Sequence, residues 1–409
     1  MKLFTRLMAL ALALLLCVPA LAATNDDVLA TVNGSAVTRG EYQACLTELE
    51  DEYAAYGYDV TDPSFASVLQ LLALQTAVEY ELLGVKQVEL GLQLTDAERA
   101  DAAQMAREDF YLQVDMIVDQ YGYYGLADIS TDEGRAAVML QVLSQLEAEG
   151  VTEASYIAQA LVNAGYDKVY AYAVQGAAVT DAEVRAQYDS LVESDRVSFA
   201  NDVASYEYML QSNQDALIYG MPEYYVDLYY VPAGYRYVMQ IVLMADDALL
   251  ADYTAIKADP GATAAEIARA EAAVLASAQM DVAEINARLQ AGESFADLAY
   301  EYSIADVVTF DVHPQSTRYD VALRDAAFTV SNVGDVTAPV VTNQGVHILC
   351  YMGDVPAGPV AYTHDVQALL HETLLTSRQQ NLFQQTMNTW MSEATIVYSD
   401  EAEAILNAY

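Results

Sequence analysis

The chain has 409 residues, 54% of them hydrophobic, and its 59 Asp and Glu outnumber 17 Lys and Arg, which gives a formal net charge of −42. Because such an acidic surface repels nucleic acid and anionic lipid, we expect neither as a partner. The length and the apolar fraction together predict two or more domains, each with its own core.

The N-terminus has the layout of a secretory signal peptide. Lys2 and Arg6 precede an apolar run over residues 7–16, and a small-residue site follows at Ala20-Leu21-Ala22. This pattern predicts cleavage near Ala22 and an extracytoplasmic protein that is secreted, periplasmic or associated with the cell envelope. No later segment has 18 uninterrupted apolar residues, so we predict no stable membrane span.

The three cysteines indicate no disulfide framework. Cys17 lies in the leader and leaves the alternative of a lipid anchor, although Leu16 before it is larger than the residue such a site needs. The other two, Cys45 and Cys350, are too few for a disulfide framework and too far apart in sequence to predict a bridge between them. We therefore expect two small, buried side chains.

Turn and capping signals locate the first elements. Asn33-Gly34 lies between β-branched runs at 28–32 and 35–37, which predicts a two-residue hairpin. Three capping boxes, in which a threonine precedes a glutamate by three residues, predict helix starts at Thr38–Glu41, Thr95–Glu98 and Thr180–Glu183.

Residues 40–200 have a mainly helical pattern, which tyrosine-rich patches interrupt at 53–58 and 121–124. Such rings suit a surface that binds other chains, because tyrosine offers a large contact area with little side-chain entropy to lose. They also suit core and loop packing, the interpretation that we favour. Aromatic and β-branched residues over 219–243 then predict strands at the start of a new domain.

The next segment is predicted to be helical. The composition of Ala245 to Met280 predicts an extended helix. Apolar residues then recur at steps of three and four on both sides of Gly292, which predicts a helix, a turn and a second helix. Ser294 with Asp297 predicts the cap of that second helix.

Two predicted strands bring polar residues to one face. Alternate side chains share a face within 235–243 and within 345–351. If the two strands are neighbours, Gln240 and His347 point to the same side.

The C-terminal region is predicted to be a linker, a helix and a strand. Gly and Pro mark 353–359 as a linker, apolar residues then follow helical spacing up to Trp390, and 394–398 predicts a short strand. His364 and His371 lie on the helix, but their spacing matches no metal motif. We predict neither a metal site nor a cofactor.

Three phrases in succession, AEINARLQAGESFADLAYEYS, LRDAAFTV and VGDVTAPVVTNQGVHILCY, occupy Ala283 to Tyr351. This succession resembles the parvulin family of peptidyl-prolyl cis/trans isomerases. Two more phrases, VLATVNGSAVTRGEYQ near the N-terminus and VTDAEVRAQYD at 179–189, are similar to SurA-like and PrsA-like extracytoplasmic foldases.

The resemblance implies an α+β parvulin-like domain inserted in a mainly α-helical chaperone module built from N- and C-terminal segments. The implied boundaries are 1–22 for the signal peptide, 23–232 for the N-terminal helical chaperone region, 233–355 for the parvulin-like domain and 360–409 for the C-terminal helix that returns to the chaperone module.

Parvulins carry a histidine in the first strand and another in the last, with a cysteine or an acid after the second helix, beneath an apolar proline pocket. The resemblance implies catalytic positions at His347, Gln240 and Asp306 and substrate-binding positions at Tyr319, Leu323, Phe328 and Gln344. Gln240 stands where the family has histidine, and the usual Gly-rich loop near Asp306 is missing.

The function implied is that of an exported foldase that binds unfolded, proline-containing secreted polypeptides and isomerises their X-Pro bonds. Because two polar positions depart from the family, two alternatives stay open. One is a catalytically inactive, parvulin-like holdase chaperone. The other is a structural envelope protein that uses the fold as a scaffold.

Overall fold

The computed structural model describes residues 28–408, which divide into two compact units. The first unit combines the chain up to Val179 with the residues from Glu372 onward, and the second is Thr180–His371. The leader, with its expected cleavage near Ala22 and with Cys17, lies outside the described residues. The predicted parvulin-like region, 233–355, lies within the second unit, and its boundaries stay a prediction.

The elements of the described chain follow in sequence order. The first half contains β1 (Val28–Val32), β2 (Ser35–Thr38), α1 (Arg39–Ala55), α2 (Pro63–Glu89), α3 (Asp96–Tyr123), α4 (Asp132–Ala148), α5 (Glu153–Val174), α6 (Asp181–Phe199), α7 (Val203–Ile218) and β3 (Tyr230–Val231). The second half contains β4 (Arg236–Leu243), α8 (Asp247–Ala258), α9 (Ala264–Ser277), α10 (Gln279–Gln290), α11 (Phe295–Tyr302), β5 (Thr309–Val312), α12 (Val321–Ala326), β6 (Val340–Thr342), β7 (Gly345–Asp354), β8 (Gly358–Pro359), α13 (His364–Glu393), β9 (Ile396–Tyr398) and α14 (Asp400–Asn407).

The sheet of the first unit joins the two ends of the described chain. Its strand order is β2–β1–β9, and β9 pairs antiparallel with β1 through Ala30 and Tyr398. The predicted hairpin is confirmed, since Asn33 has φ 50° and Gly34 has φ 89°, as a primed two-residue turn requires. The C-terminal segment therefore returns to the N-terminal one, as the predicted fold class requires.

The three predicted capping boxes are confirmed at the starts of α1, α3 and α6. In each, the threonine hydroxyl accepts from the glutamate N–H and the glutamate carboxylate accepts from the threonine N–H. Ser294 is the N-cap residue just before α11, but its side chain makes no capping hydrogen bond, so that predicted cap is wrong.

Helix α2 supplies much of the first unit's core. Leu69, Leu74 and Leu82 are fully buried along it, with Trp390 of α13 in the same cluster. By length and composition alone this helix could cross a membrane, and 39% of its most apolar window is buried in the structure. Its apolar face serves here as the centre of a protein core.

The two cysteines that the structure describes are free and buried, as expected. Cys45 lies in the core of the first unit, and Cys350 lies in the helix-covered core of the second. Burial raises the pKa of the Cys350 thiol, with the charge of Asp335 adding to that effect.

The sheet of the second unit has the strand order β5–β4–β7–β6, with antiparallel pairing throughout. Ile241 and Ile348 face the helices α8 to α11, and they form a core with residues such as Ile285. Val238 and Leu349 point to the opposite face and pack against α12. This second face carries the candidate site.

The region from Ala245 to Met280 corrects one expectation. A single extended helix was predicted, whereas α8 and α9 are separate and break at Asp259-Pro260-Gly261. Proline has no N–H to donate and disfavours helical geometry in the residue before it, and Asp259 is accordingly extended at ψ 116°. A further capping box, Thr263 with Glu266, then starts α9.

The predicted linker over 353–359 is partly structured. Strand β7 continues to Asp354, and β8 pairs with β3 through Tyr230 and Pro359. The Val355 N–H also donates to the Tyr235 carbonyl at 2.9 Å. These bonds fix the end of the sheet against the segment that leads into it.

Candidate functional site

The centre of the candidate site is a pair of side chains on neighbouring strands. His347 of β7 and Gln240 of β4 lie on the same side of the sheet, as predicted, with His347 Nδ1 3.1 Å from Gln240 Oε1. The other imidazole nitrogen, Nε2, lies 2.7 Å from the hydroxyl of Thr342 in β6. Both ring nitrogens therefore have partners.

The partners of Gln240 and Thr342 fix the tautomer of the imidazole. Because Gln240 Nε2 donates to the Val307 carbonyl at 2.9 Å, its Oε1 must accept, so His347 Nδ1 carries the proton. Nε2 then accepts from the Thr342 hydroxyl, which in turn accepts from the Gln344 N–H at 3.0 Å. A neutral ring with its proton on Nδ1 therefore satisfies both nitrogens in this chain of hydrogen bonds.

Burial strengthens this preference for the neutral ring. His347 is fully buried, and the loss of hydration lowers its pKa to about 4, although the negative charge of Asp320 opposes the shift. The imidazole is therefore uncharged at neutral pH.

A pocket of about 490 Å³ opens on this face of the sheet. Gln240, Gln344, Tyr319 and Leu323 line it, so four of the predicted site residues come together there. Leu323 belongs to the apolar cluster on that face, and the Tyr319 ring packs against Phe310 with centroids 4.7 Å apart. The pocket thus combines an apolar wall with amide side chains.

The remaining predicted residues lie outside the pocket lining. His347 lies behind Gln240, and Phe328 packs in the same apolar cluster as Leu323, with the Arg236 guanidinium 4.7 Å from its ring centroid. Asp306 lies on an exposed bend after α11. The functional roles of these three residues stay predictions.

Sequence reasoning missed a carboxylate and a cation in the pocket. Asp311 of β5 and Arg318 of the following loop both line it. Loss of hydration raises the pKa of Asp311 although much of the side chain stays exposed, and the charge of Arg318 opposes this shift. Asp311 alternates with buried Val312, but nothing in the sequence places its strand beside the pocket.

Sequence reasoning also missed the wall formed by α7. Tyr206, Leu210 and Gln214 of this helix line the pocket. Their four-residue steps put them on one helix face, a signal that was available from the sequence. The sequence could not show what this face packs against, because about a hundred residues separate it from β5 and α12.

A buried carboxylate holds α7 to the pocket loop. Glu207 is 1% exposed, accepts from the Thr317 N–H at 2.9 Å and accepts from the Tyr235 hydroxyl at 3.4 Å. Burial and the Glu207 charge raise the pKa of Tyr235, which keeps that hydroxyl protonated as a donor. The wall and the loop are therefore directly bonded.

Across residues 28–408, no group of three or more His, Cys, Asp or Glu side chains is arranged to hold a metal ion. The side chains that line the pocket offer hydrogen bonds, apolar contact and charge.

A sheet covered by helices on one face, with a buried neutral histidine beside a pocket that has an apolar wall on the other, is the arrangement expected of a parvulin domain. The family model described as "Rotamase: PPIC-type PPIASE domain" matches residues 262–353. The chain therefore contains a parvulin-type rotamase domain. The matched span includes β7 with His347 and begins after β4, so Gln240 lies outside it.

The similar curated proteins are PrsA foldases. Foldase protein PrsA 2 of Listeria monocytogenes is 31% identical over 133 residues, which cover 31% of this chain and 44% of the relative. Foldase protein PrsA of Clostridium acetobutylicum is 27% identical over 130 residues, covering 30% and 38%. The chain spans less than half the length of these relatives.

Among solved structures, a SurA-like chaperone from Campylobacter jejuni aligns with 92% of this chain and 100% of its own at 10% identity and a TM-score of 0.31. PrsA from Bacillus subtilis aligns with 94% and 99% at 17% identity and a TM-score of 0.20. These TM-scores are too low to define the fold, which rests on the sheet and helices described above.

Proposed function

We propose that the protein is an extracytoplasmic foldase that binds unfolded, proline-containing polypeptides and catalyses the cis/trans isomerisation of their X-Pro bonds. The observation that carries this proposal is the hydrogen-bonded pair of neutral His347 and Gln240 beside a pocket lined by Leu323 and Tyr319. The leader pattern of the sequence supports the extracytoplasmic location.

Isomerisation requires rotation about a bond but no covalent intermediate. The barrier is roughly 18–20 kcal/mol, so unaided exchange takes about 10–100 s. A catalyst must bind the twisted amide more tightly than either planar form. In the proposed mechanism Leu323 and Tyr319 hold the proline ring, while the Gln344 amide donates to the displaced carbonyl oxygen.

His347 acts in this mechanism through Gln240. Because His347 Nδ1–H donates to Gln240 Oε1, the amide is held in the orientation that lines the pocket. A charged imidazole would present a second N–H to the Thr342 hydroxyl and reverse the direction of that bond. We therefore assign His347 as a positioning residue.

A second candidate function is client binding without turnover. His347 is completely shielded from solvent, Asp306 lies outside the pocket, and a glutamine replaces the first-strand histidine. Those features favour a holdase, in which the same pocket grips proline segments but lowers no barrier.

Refolding of a client whose slow phase is limited by proline isomerisation separates the two functions. An isomerase accelerates the slow phase at substoichiometric amounts, and Leu323→Ala should reduce that acceleration at least about tenfold because it removes part of the apolar wall. A holdase leaves the slow phase unchanged and suppresses client aggregation at stoichiometric amounts. A protein that does neither would overturn both functions.

A further inference from the structure

The pocket is larger than one proline ring needs. Its volume of about 490 Å³ falls in the range of roughly 300–1,000 Å³ that is typical of sites for whole small ligands. Leu323 and Tyr319 account for one wall, whereas Tyr206, Leu210 and Gln214 of α7 form the other. The second wall belongs to a different element from the Leu323 and Tyr319 wall to which the proline is assigned.

The face of α7 that lines the pocket continues past it. Tyr206, Leu210, Gln214 and Leu217 follow steps of four, four and three, so they form one stripe along the helix. From Tyr206 to Leu217 the helix rises about 16 Å at 1.5 Å per residue. An extended chain, at about 3.3 Å per residue, covers that distance in about five residues.

The stripe ends in an apolar patch that faces solvent. Leu217 is 62% exposed, and the exposed side chains of Ile218, Met221 and Val226 follow it in the chain. The buried side chain of Asn213 holds this segment in place, since its Nδ2 donates to the Val226 carbonyl at 2.7 Å and its Oδ1 accepts from the Val226 N–H at 2.8 Å. The patch is thus fixed before any ligand binds.

We infer that α7 and this patch extend the proline pocket into a longer client site, in which an apolar side chain about five or six residues from the proline docks at Leu217. The occupant is the same unfolded polypeptide whose proline enters the pocket, because the stripe is continuous with the pocket lining. The preferred client is an extended segment that carries both a proline and a large apolar residue at that spacing. This inference rests on the proposed function.

The test uses the mature protein and blocked peptides with one proline. The short peptide has four residues, and the long peptides carry a leucine about five residues before or after the proline, with serine-substituted versions as controls. Affinity is measured by peptide NMR titration and isomerisation by exchange spectroscopy. Leu217→Ser removes the docking side chain, and Tyr208→Ser is the matched control, since Tyr208 is 71% exposed on the opposite side of the same helix.

One long leucine peptide should bind about five- to tenfold more tightly than its serine version, as partial burial of a leucine allows. Leu217→Ser should remove that gain, whereas Tyr208→Ser should keep it.

Equal affinities for the leucine and serine peptides, with the short peptide still isomerised, would overturn this inference alone. Absence of isomerisation in every peptide would overturn the isomerase function, and absence of binding would overturn both. A dimer that Leu217→Ser dissociates would also overturn the inference, because a second copy would then occupy the patch.

Discussion

At the residue scale, the neighbours of His347 determine its chemical state. Val307 orients Gln240, Gln240 fixes the proton on Nδ1, and Thr342 donates to Nε2. Strand alternation was enough to predict that Gln240 and His347 share a face. The sequence could not identify Thr342 or Val307 as partners, because those contacts depend on how β6 and the loop before β5 lie beside the two strands.

Acid should destabilise the fold through His347. Its pKa is about 4 in the folded state against an ordinary value of 6.5, so the unfolded chain takes up the proton first as the pH falls. The stabilising effect of keeping the ring neutral is complete above pH 6.5 and is lost as the pH falls towards 4. The loss is about 3–4 kcal/mol for a shift of this size, at roughly 1.4 kcal/mol per pKa unit.

The measurement is urea unfolding of the wild type and of His347→Gln between pH 7 and pH 4. The difference between the two free energies of unfolding isolates the histidine from the many carboxylates that titrate in the same range. As the pH falls from 7 to 4, the free energy of unfolding of the wild type should decrease relative to that of His347→Gln. A constant difference would show that the imidazole is not held neutral.

At the element scale, most local signals were reliable, although the predicted Ser294 cap was wrong, and long-range contacts could not be predicted. Capping boxes and the Asn33-Gly34 turn act within a few residues, so they could be identified from the sequence alone. The break at Pro260 was visible in principle, but helix-favouring composition on both sides concealed it. The packing of α7 on the pocket loop depends on Glu207, which has no local signature because its partners, Tyr235 and Thr317, lie 28 and 110 residues away.

Removal of the Glu207 carboxylate should loosen α7 from the pocket loop. Glu207→Ala leaves the Thr317 N–H and the buried Tyr235 hydroxyl without this acceptor, at a cost of about 1–3 kcal/mol for the buried group. Hydrogen exchange should therefore quicken at the Thr317 amide. Glu207→Gln is the control, because its amide oxygen can still accept one of the two bonds; equal protection in the Ala variant and the wild type would refute the anchoring role.

At the scale of the whole molecule, the two units differ in how they are assembled from the sequence. The first unit combines both ends of the described chain, because β9 and α14 pack on β1. The second unit is continuous in sequence. The first unit's strand at 394–398 was predicted, but α14 was missed because it is a short helix in an acidic tail. The net charge of −42 bears on the expected partners and does not predict this arrangement.

A buried charge on α14 should destabilise the first unit selectively. Ala402 is fully buried, so Ala402→Glu introduces an unpaired carboxylate into a core. Hydrogen exchange should rise in β1 and β9 and stay unchanged in β4 and β7. Ala404→Glu, the same change at an exposed position of the same helix, should have no such effect, and a uniform rise throughout the chain would contradict the division into two units.

The most direct test of the account is exchange NMR on a short blocked peptide with a single X-Pro bond. The wild type at catalytic concentration should produce cis/trans exchange cross-peaks that the free peptide lacks on the same timescale. Leu323→Ala should reduce the exchange rate at least about tenfold, because the proline ring loses its apolar wall. Val321→Ala, at an exposed position of the same helix, should match the wild type. A folded wild type that yields no cross-peaks, or a Leu323→Ala variant that is as active as the wild type, would contradict the assignment of this pocket as an isomerase site.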